Sequence, residues 1–169
     1  STFSTDPVQR QIVLGQWRTP KPGERLEDAP RAVWEEVRSV GEGRFRHSAL
    51  RGGYASVTVQ LRKAGVMILE ASGHSMVYVN GRPRTGDPYG YGYLRLPVDL
   101  KAGENELLFA CGRGEFSVRL TPPTAAAMLI AADATLPDLV GGDNTQPFAA
   151  IPVINATAAG LSDEAPSLP

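Results

Sequence analysis

Tyr54-Ala55-Ser56-Val57-Thr58-Val59-Gln60-Leu61 is the stretch that decides how this chain folds. Val57, Val59 and Leu61 alternate with Ser56, Thr58 and Gln60. A period of two sends the apolar set to one face of a pleated strand and the polar set to the other. Beyond the turn Lys63-Ala64-Gly65, the run Val66-Met67-Ile68-Leu69-Glu70-Ala71 is nearly all apolar, as expected of a central strand. Met76-Val77-Tyr78-Val79 is a further strand, ended by Asn80-Gly81, the pair best able to adopt positive φ. Residues 89–98 read as one extended segment. Residues 106–111 and 115–120 flank Gly112-Arg113-Gly114 and read as a hairpin. Turn signals recur about every 8–12 residues, the spacing of sandwiches and barrels. Residues 32–120 are therefore expected to form an all-β, antiparallel β-sandwich.

Towards the N-terminus the pattern weakens. In residues 32–40, Val33, Val37 and Val40 fit a helix, whereas Val33, Glu35 and Val37 fit a strand. The turn Gly41-Glu42-Gly43 before Arg44-Phe45-Arg46-His47 favours the strand, giving a second hairpin. Residues 1–31 form a loop-rich segment broken by Thr19-Pro20-Lys21-Pro22-Gly23, with Ile12-Val13-Leu14 as an edge strand. Past the sandwich, Thr121-Pro122-Pro123-Thr124 opens a Pro-led extension over residues 121–169. Two strands are expected there, at 126–131 and 148–155, around a turn-rich stretch at 138–144, with a frayed end from 161. The extension either packs against the sandwich or begins a second β domain.

Composition supports this reading. The 169 residues include 18 Gly and 14 Pro, a turn-rich balance, and 42% hydrophobic residues, enough for one packed core. The 17 Lys and Arg nearly balance the 18 Asp and Glu, so the chain lacks the basic excess of a nucleic-acid binder. The balance is uneven: all 17 basic and 13 of the acidic residues precede Thr121, and five acidic residues with no basic one follow. A single cysteine, Cys111, excludes an internal disulfide and a Cys-rich zinc site. No apolar stretch approaches the roughly 20 residues of a membrane-spanning helix. The chain opens at Ser1 without the charged and apolar regions of a signal peptide, so any targeting segment is expected to have been removed or to lie outside this sequence.

The order Val13-Leu14-Gly15, Trp34, Tyr78-Val79-Asn80-Gly81 and then Leu96-Pro97-Val98-Asp99-Leu100-Lys101-Ala102-Gly103-Glu104-Asn105-Glu106 resembles the galactose-binding-like jelly-roll modules beside catalytic domains of secreted bacterial hydrolases. In those modules a V-N-G hairpin is followed by an L-K-x-G-x-N turn entering a core strand. Gly103 suits the positive φ of such a turn, and Asn105 can bond its backbone. A narrower likeness rests on Leu50-Arg51-Gly52-Gly53-Tyr54, the segment 69–81 and Thr135-Leu136-Pro137-Asp138-Leu139-Val140. These resemble the N-terminal, non-catalytic region of secreted proteins carrying a prolyl-oligopeptidase-like hydrolase domain. The resemblance implies a secreted or periplasmic fragment whose partner is a catalytic hydrolase domain in the same polypeptide. No nucleophile is carried over to this chain.

The chemistry-bearing residues are few. None of the ten serines stands in a G-x-S-x-G elbow; Ser75 comes nearest, and Val77 occupies the last Gly position. His47 and His74 are the only imidazoles, and a metal or acid–base site would need them together. Asp87-Pro88-Tyr89-Gly90-Tyr91-Gly92-Tyr93-Leu94-Arg95 offers more. If extended, it puts Tyr89, Tyr91 and Tyr93 on one face as a flat platform for a sugar ring or peptide, with Asp87, Arg82, Arg84 and Arg95 as polar partners. Structural burial or domain docking is the competing role of that face. No cofactor is expected, although Asp133, Asp138, Asp143 and Asn144 could supply oxygens to a structural calcium ion. Asn155-Ala156-Thr157 matches a glycosylation sequon. Arg44, Arg46 and Arg51 are expected on a solvated face. The expected function is a non-catalytic accessory module positioning a hydrolase or its substrate. The alternatives are a carbohydrate-binding module using the tyrosines, and an adhesion or assembly domain using residues 121–169.

Overall fold

The alternation at residues 54–61 forms a strand of eight residues whose Ala55, Val57, Val59 and Leu61 enter the main core. The computed structural model describes residues 6–26, 29–138 and 148–157. In chain order these form α1 (Pro7–Val13), β1 (Arg25–Leu26), β2 (Ala29–Val33), β3 (Arg44–Arg46), β4 (Tyr54–Leu61), β5 (Gly65–Ser72), β6 (His74–Val79), β7 (Arg82–Asp87), β8 (Arg95–Leu100), β9 (Gly103–Cys111), β10 (Glu115–Thr121), β11 (Ala127–Leu129) and β12 (Val153–Asn155). Short 3₁₀ turns occupy Ser48–Leu50 and Ala131–Asp133. Among the described residues no helix is long and apolar enough to cross a membrane.

Two four-stranded antiparallel sheets carry the fold, in the orders β3-β10-β5-β8 and β4-β9-β6-β7. The pairing is nested. β6 pairs with β7, β5 with β8, β4 with β9 and β3 with β10, as in one long hairpin rolled into two sheets. The result is the expected all-β, antiparallel β-sandwich. The innermost turn is Asn80-Gly81, where both residues have positive φ (48° and 79°), matching the right-handed twist of the flanking strands. Between the sheets, Leu69, Leu96, Val98 and Phe116 from one meet Val77, Leu107 and Phe109 from the other. Each such side chain contributes about 1.5–3 kcal/mol by leaving water.

The outer faces are covered too, which explains why β5 reads as continuously apolar. Leu69 and Ala71 face the core, while Ile68 and Val66 face outward under a ribbon of β11 and β12, where they meet Ile130, Ile154 and Ala156. Both expected C-terminal strands therefore exist, in shorter form, and pair with each other. On the opposite outer face, Tyr78 and Leu108 lie under Val8 of α1, Trp17 and Trp34. Asp6 starts α1 by accepting the amides of Val8 and Gln9, with Pro7 at the first helical position. Its other carboxylate oxygen accepts the Tyr54 hydroxyl at 2.6 Å, anchoring the helix to β4.

Four expectations about elements are corrected. Ile12-Val13-Leu14 is no edge strand: Ile12 and Val13 lie in α1 and Leu14 caps it, since the Asp6-Pro7 start signal outweighs a three-residue apolar run. Residues 34–40 lack strand structure; the tight turn is kept by the Gly41 to Arg44 bridge, the Val40 amide bonding the Arg44 carbonyl, and the Ser39 hydroxyl, which donates to that carbonyl and accepts the Gly41 amide. Residues 106–111 and 115–120 are not a hairpin. β9 and β10 lie in opposite sheets, and the Gly112–Gly114 turn bonds elsewhere, to Gly73, His47 and Leu50. Extended strand structure covers only residues 95–98 of the expected 89–98 segment. The strand β7, with its Pro and Gly, is also more regular than its composition indicates. The stretches 139–147 and 158–169, which include most of the expected turn and the frayed end, lie outside the described residues.

Candidate functional site

The nested hairpin brings four chain reversals to one end of the sandwich: residues 47–53, Gly73, residues 88–94 and residues 112–114. The third holds the tyrosines. Gly90 and Gly92 have positive φ (73° and 71°), so the backbone alternates in hand and its amides turn inward. Asp87 receives them: Oδ1 accepts the Gly90 and Tyr91 amides at 2.9 and 3.1 Å, and Oδ2 accepts the Gly92 amide at 2.6 Å. An anion enclosed by successive backbone N–H groups has made a strand impossible here.

The same alternation throws the three phenols to one side. Tyr89 and Tyr91 stack with ring centroids 5.7 Å apart and planes 27° apart, and Tyr91 and Tyr93 stack at 5.9 Å and 21°. The result is a ladder, not the expected flat platform. The three residues are 66%, 67% and 49% exposed, although side chains with this much apolar area are often covered.

The expected polar partners separate. Asp87 is buried, with both oxygens engaged by the loop, and so positions the ladder without facing a ligand. Arg95 pairs with Glu70 at 3.1 Å across β8 and β5. Arg84 donates to the Pro97 carbonyl at 3.2 Å, tying the edge of β7 to β8. Arg82 lies at the other end of β7, five residue steps from Asp87, or roughly 16 Å at a strand's rise. Arg113, which sequence reasoning passed over, donates to the Tyr89 carbonyl at 3.3 Å. Arg51 lies along the same turn, its Cγ and Nε 3.0 Å from where a side chain on Gly114 would begin. The Gly-Arg-Gly turn was visible in the sequence; only the nesting of strands brings it to the tyrosine loop.

The histidines do not form one site. His47 caps the Ser48–Leu50 turn through Nδ1 and lies 3.4 Å from a Glu35 carboxylate oxygen. His74 is buried edge-on against Phe109, centroids 5.1 Å apart, and neither ring nitrogen has a hydrogen-bond partner among the described residues. Burial lowers its pKa to about 4, against the opposing pull of the Asp87 charge. Ser75 points to the Ala110 carbonyl. Burial pushes the Cys111 thiol up to about 12, leaving it an inert core residue. Asp133 and Asp138 are exposed, while Asp143 and Asn144 lie outside the described residues, which hold no cluster of three metal-binding side chains.

A cleft of about 610 Å³ lies between α1, β2 and the start of β4, lined by Val8, Trp34, Arg51 and Tyr54. Two of its polar groups, Asp6 and Tyr54, are spent on each other. Burial and the Asp6 carboxylate push the Tyr54 hydroxyl above its usual pKa. The cleft therefore reads as the seam of the N-terminal cover. Comparison of the chain with protein-family models, curated proteins and solved structures returns no match.

Proposed function

We propose that this chain is a non-catalytic β-sandwich module that binds carbohydrate and so positions substrate for a hydrolase domain in the same secreted or periplasmic polypeptide. The observation that supports it is the exposed ladder of Tyr89, Tyr91 and Tyr93, stacked and held by the buried carboxylate of Asp87. A ligand meeting it encounters rigid amphipathic rings whose ordering cost is met on folding, the condition under which aromatic contacts convert best into affinity. The non-catalytic part of the reading rests on Ser75 and His74, whose contacts lead away from each other. Calorimetric titration with a panel of plant and microbial glycans tests it. Binding is expected in the native chain and lost on replacing all three tyrosines by Ala at unchanged melting temperature. Binding unaffected by the triple replacement contradicts it.

A second reading, docking to another domain or an assembly partner, is favoured by the β11–β12 ribbon. Leu129 and Val153 lie opposite each other on its outward side at 65% and 56% exposure, with exposed Leu136, Phe148 and Ile151 in the adjoining chain.

A further inference from the structure

Not every arginine around the ladder is paired with a carboxylate. Three carboxylates at or beside this end of the sandwich are held by the chain: Asp87 by the loop amides, Glu115 by the Arg46 guanidinium at 2.7 Å and Glu70 by that of Arg95, while Glu35 lies 3.4 Å from the imidazole of His47. His74 is neutral in the core. Two exposed guanidiniums have no carboxylate partner among the described residues. Arg113 uses one of its five donors on the Tyr89 carbonyl, and Arg51 lies beside it across Gly114. Arg113, with Arg51 across Gly114, therefore brings free guanidinium donors to the Tyr89 end of the stacked phenols.

We infer that the ladder and these two arginines form one site for an anionic carbohydrate, a glycan bearing uronate or sulfate groups. This rests on the carbohydrate-binding reading and adds the ligand's charge to it. The phenol edges and end faces take the sugar's apolar CH surface and hydroxyls. The planar guanidinium forks take carboxylate or sulfate, which they match in a bidentate manner. A single-stranded nucleic acid also offers rings and negative charge, but it needs a basic groove that follows its backbone. Two arginines on a chain with a net charge of −1 do not make such a groove.

The test is calorimetric titration of the native chain with polygalacturonate, heparin, dextran and oligo(dT), each at 50 and 200 mM salt. Polygalacturonate or heparin is expected to bind at least tenfold more tightly than dextran, with affinity falling roughly fivefold to tenfold between the two salts, as two neutralised charges require. Arg51→Gln with Arg113→Gln is expected to remove that preference at unchanged melting temperature. Tyr89→Ala with Tyr91→Ala and Tyr93→Ala is expected to remove binding altogether. Dextran bound as tightly as the acidic glycans, or an acidic-glycan affinity indifferent to the arginine changes, overturns the inference and leaves the carbohydrate reading standing. Absence of binding to any of the glycans overturns both. Oligo(dT) bound more tightly than the glycans in a tyrosine-dependent way assigns the surface to nucleic acid and also overturns both.

Discussion

Asp87 shows how much one side chain can decide. Its sequence position, beside a Pro and three tyrosines, reads as a ligand contact, yet its carboxylate organises the loop by accepting three backbone amides. Hydrogen bonds to a charged group are worth about 1.5–3 kcal/mol each, with much of that shared when they converge. Asp87→Ala is expected to lower the unfolding free energy by about 3 kcal/mol in urea denaturation and to abolish tyrosine-dependent binding. His74 makes a pH prediction. Its folded pKa of about 4 lies below the ordinary value of 6.5, so between these values the unfolded chain binds a proton that the folded chain does not. Its contribution to stability is complete above pH 6.5 and is lost as pH falls towards 4. Urea midpoints measured across that window should fall less steeply for His74→Leu than for the native chain. An equal slope in the two proteins rules out His74 as the source.

At the scale of elements, sequence reading succeeded where pattern and turn chemistry are local. It marked β4, β5 and β6, the Asn80-Gly81 turn and the Lys101 to Asn105 turn. In that last turn, Asn105 accepts the Lys101 amide and the Asn80 amide group, and donates to the carbonyls of Lys101 and Gly103. Asn105 is buried with these four bonds, so Asn105→Ala is expected to cost about 2–4 kcal/mol, measured as a lower urea midpoint. Reading failed where two arrangements share one pattern. Two apolar strands around Gly-Arg-Gly serve equally as a hairpin or as an arch between sheets, and only the alternative partners β4 and β5 decide. The tyrosine loop failed for a related reason, since its period of two survives in a ladder made by alternating backbone hand. Gly86 carries a constraint that no local pattern reveals. The irregular crossing of β6 at His74-Ser75-Met76 occupies the space where its Cβ would stand, with the His74 carbonyl oxygen 2.6 Å from that position. Gly86→Ala is expected to destabilise by about 3 kcal/mol, read from thermal or urea unfolding.

Across the whole molecule, the described residues form a sandwich covered on both outer faces, by α1 with the two tryptophans on one side and by the Lys/Arg-free ribbon on the other. The uneven charge of the sequence thus separates a basic-leaning sandwich from one of its covers. Packing of Ile130 and Ile154 on Ile68 makes that cover part of the core, so Ile154→Ala is expected to cost about 2–4 kcal/mol by leaving a cavity. At one end of this body four reversals converge and the exposed tyrosines stand ready for a ligand. Ring-resonance NMR during titration with a bound acidic glycan locates the contact directly. The rings of Tyr89, Tyr91 and Tyr93 are expected to shift together, with the indoles of Trp17 and Trp34 in the N-terminal seam unmoved. Shifts confined to Trp34 and Tyr54, with the ladder silent, would place binding in the 610 Å³ cleft and contradict the claim.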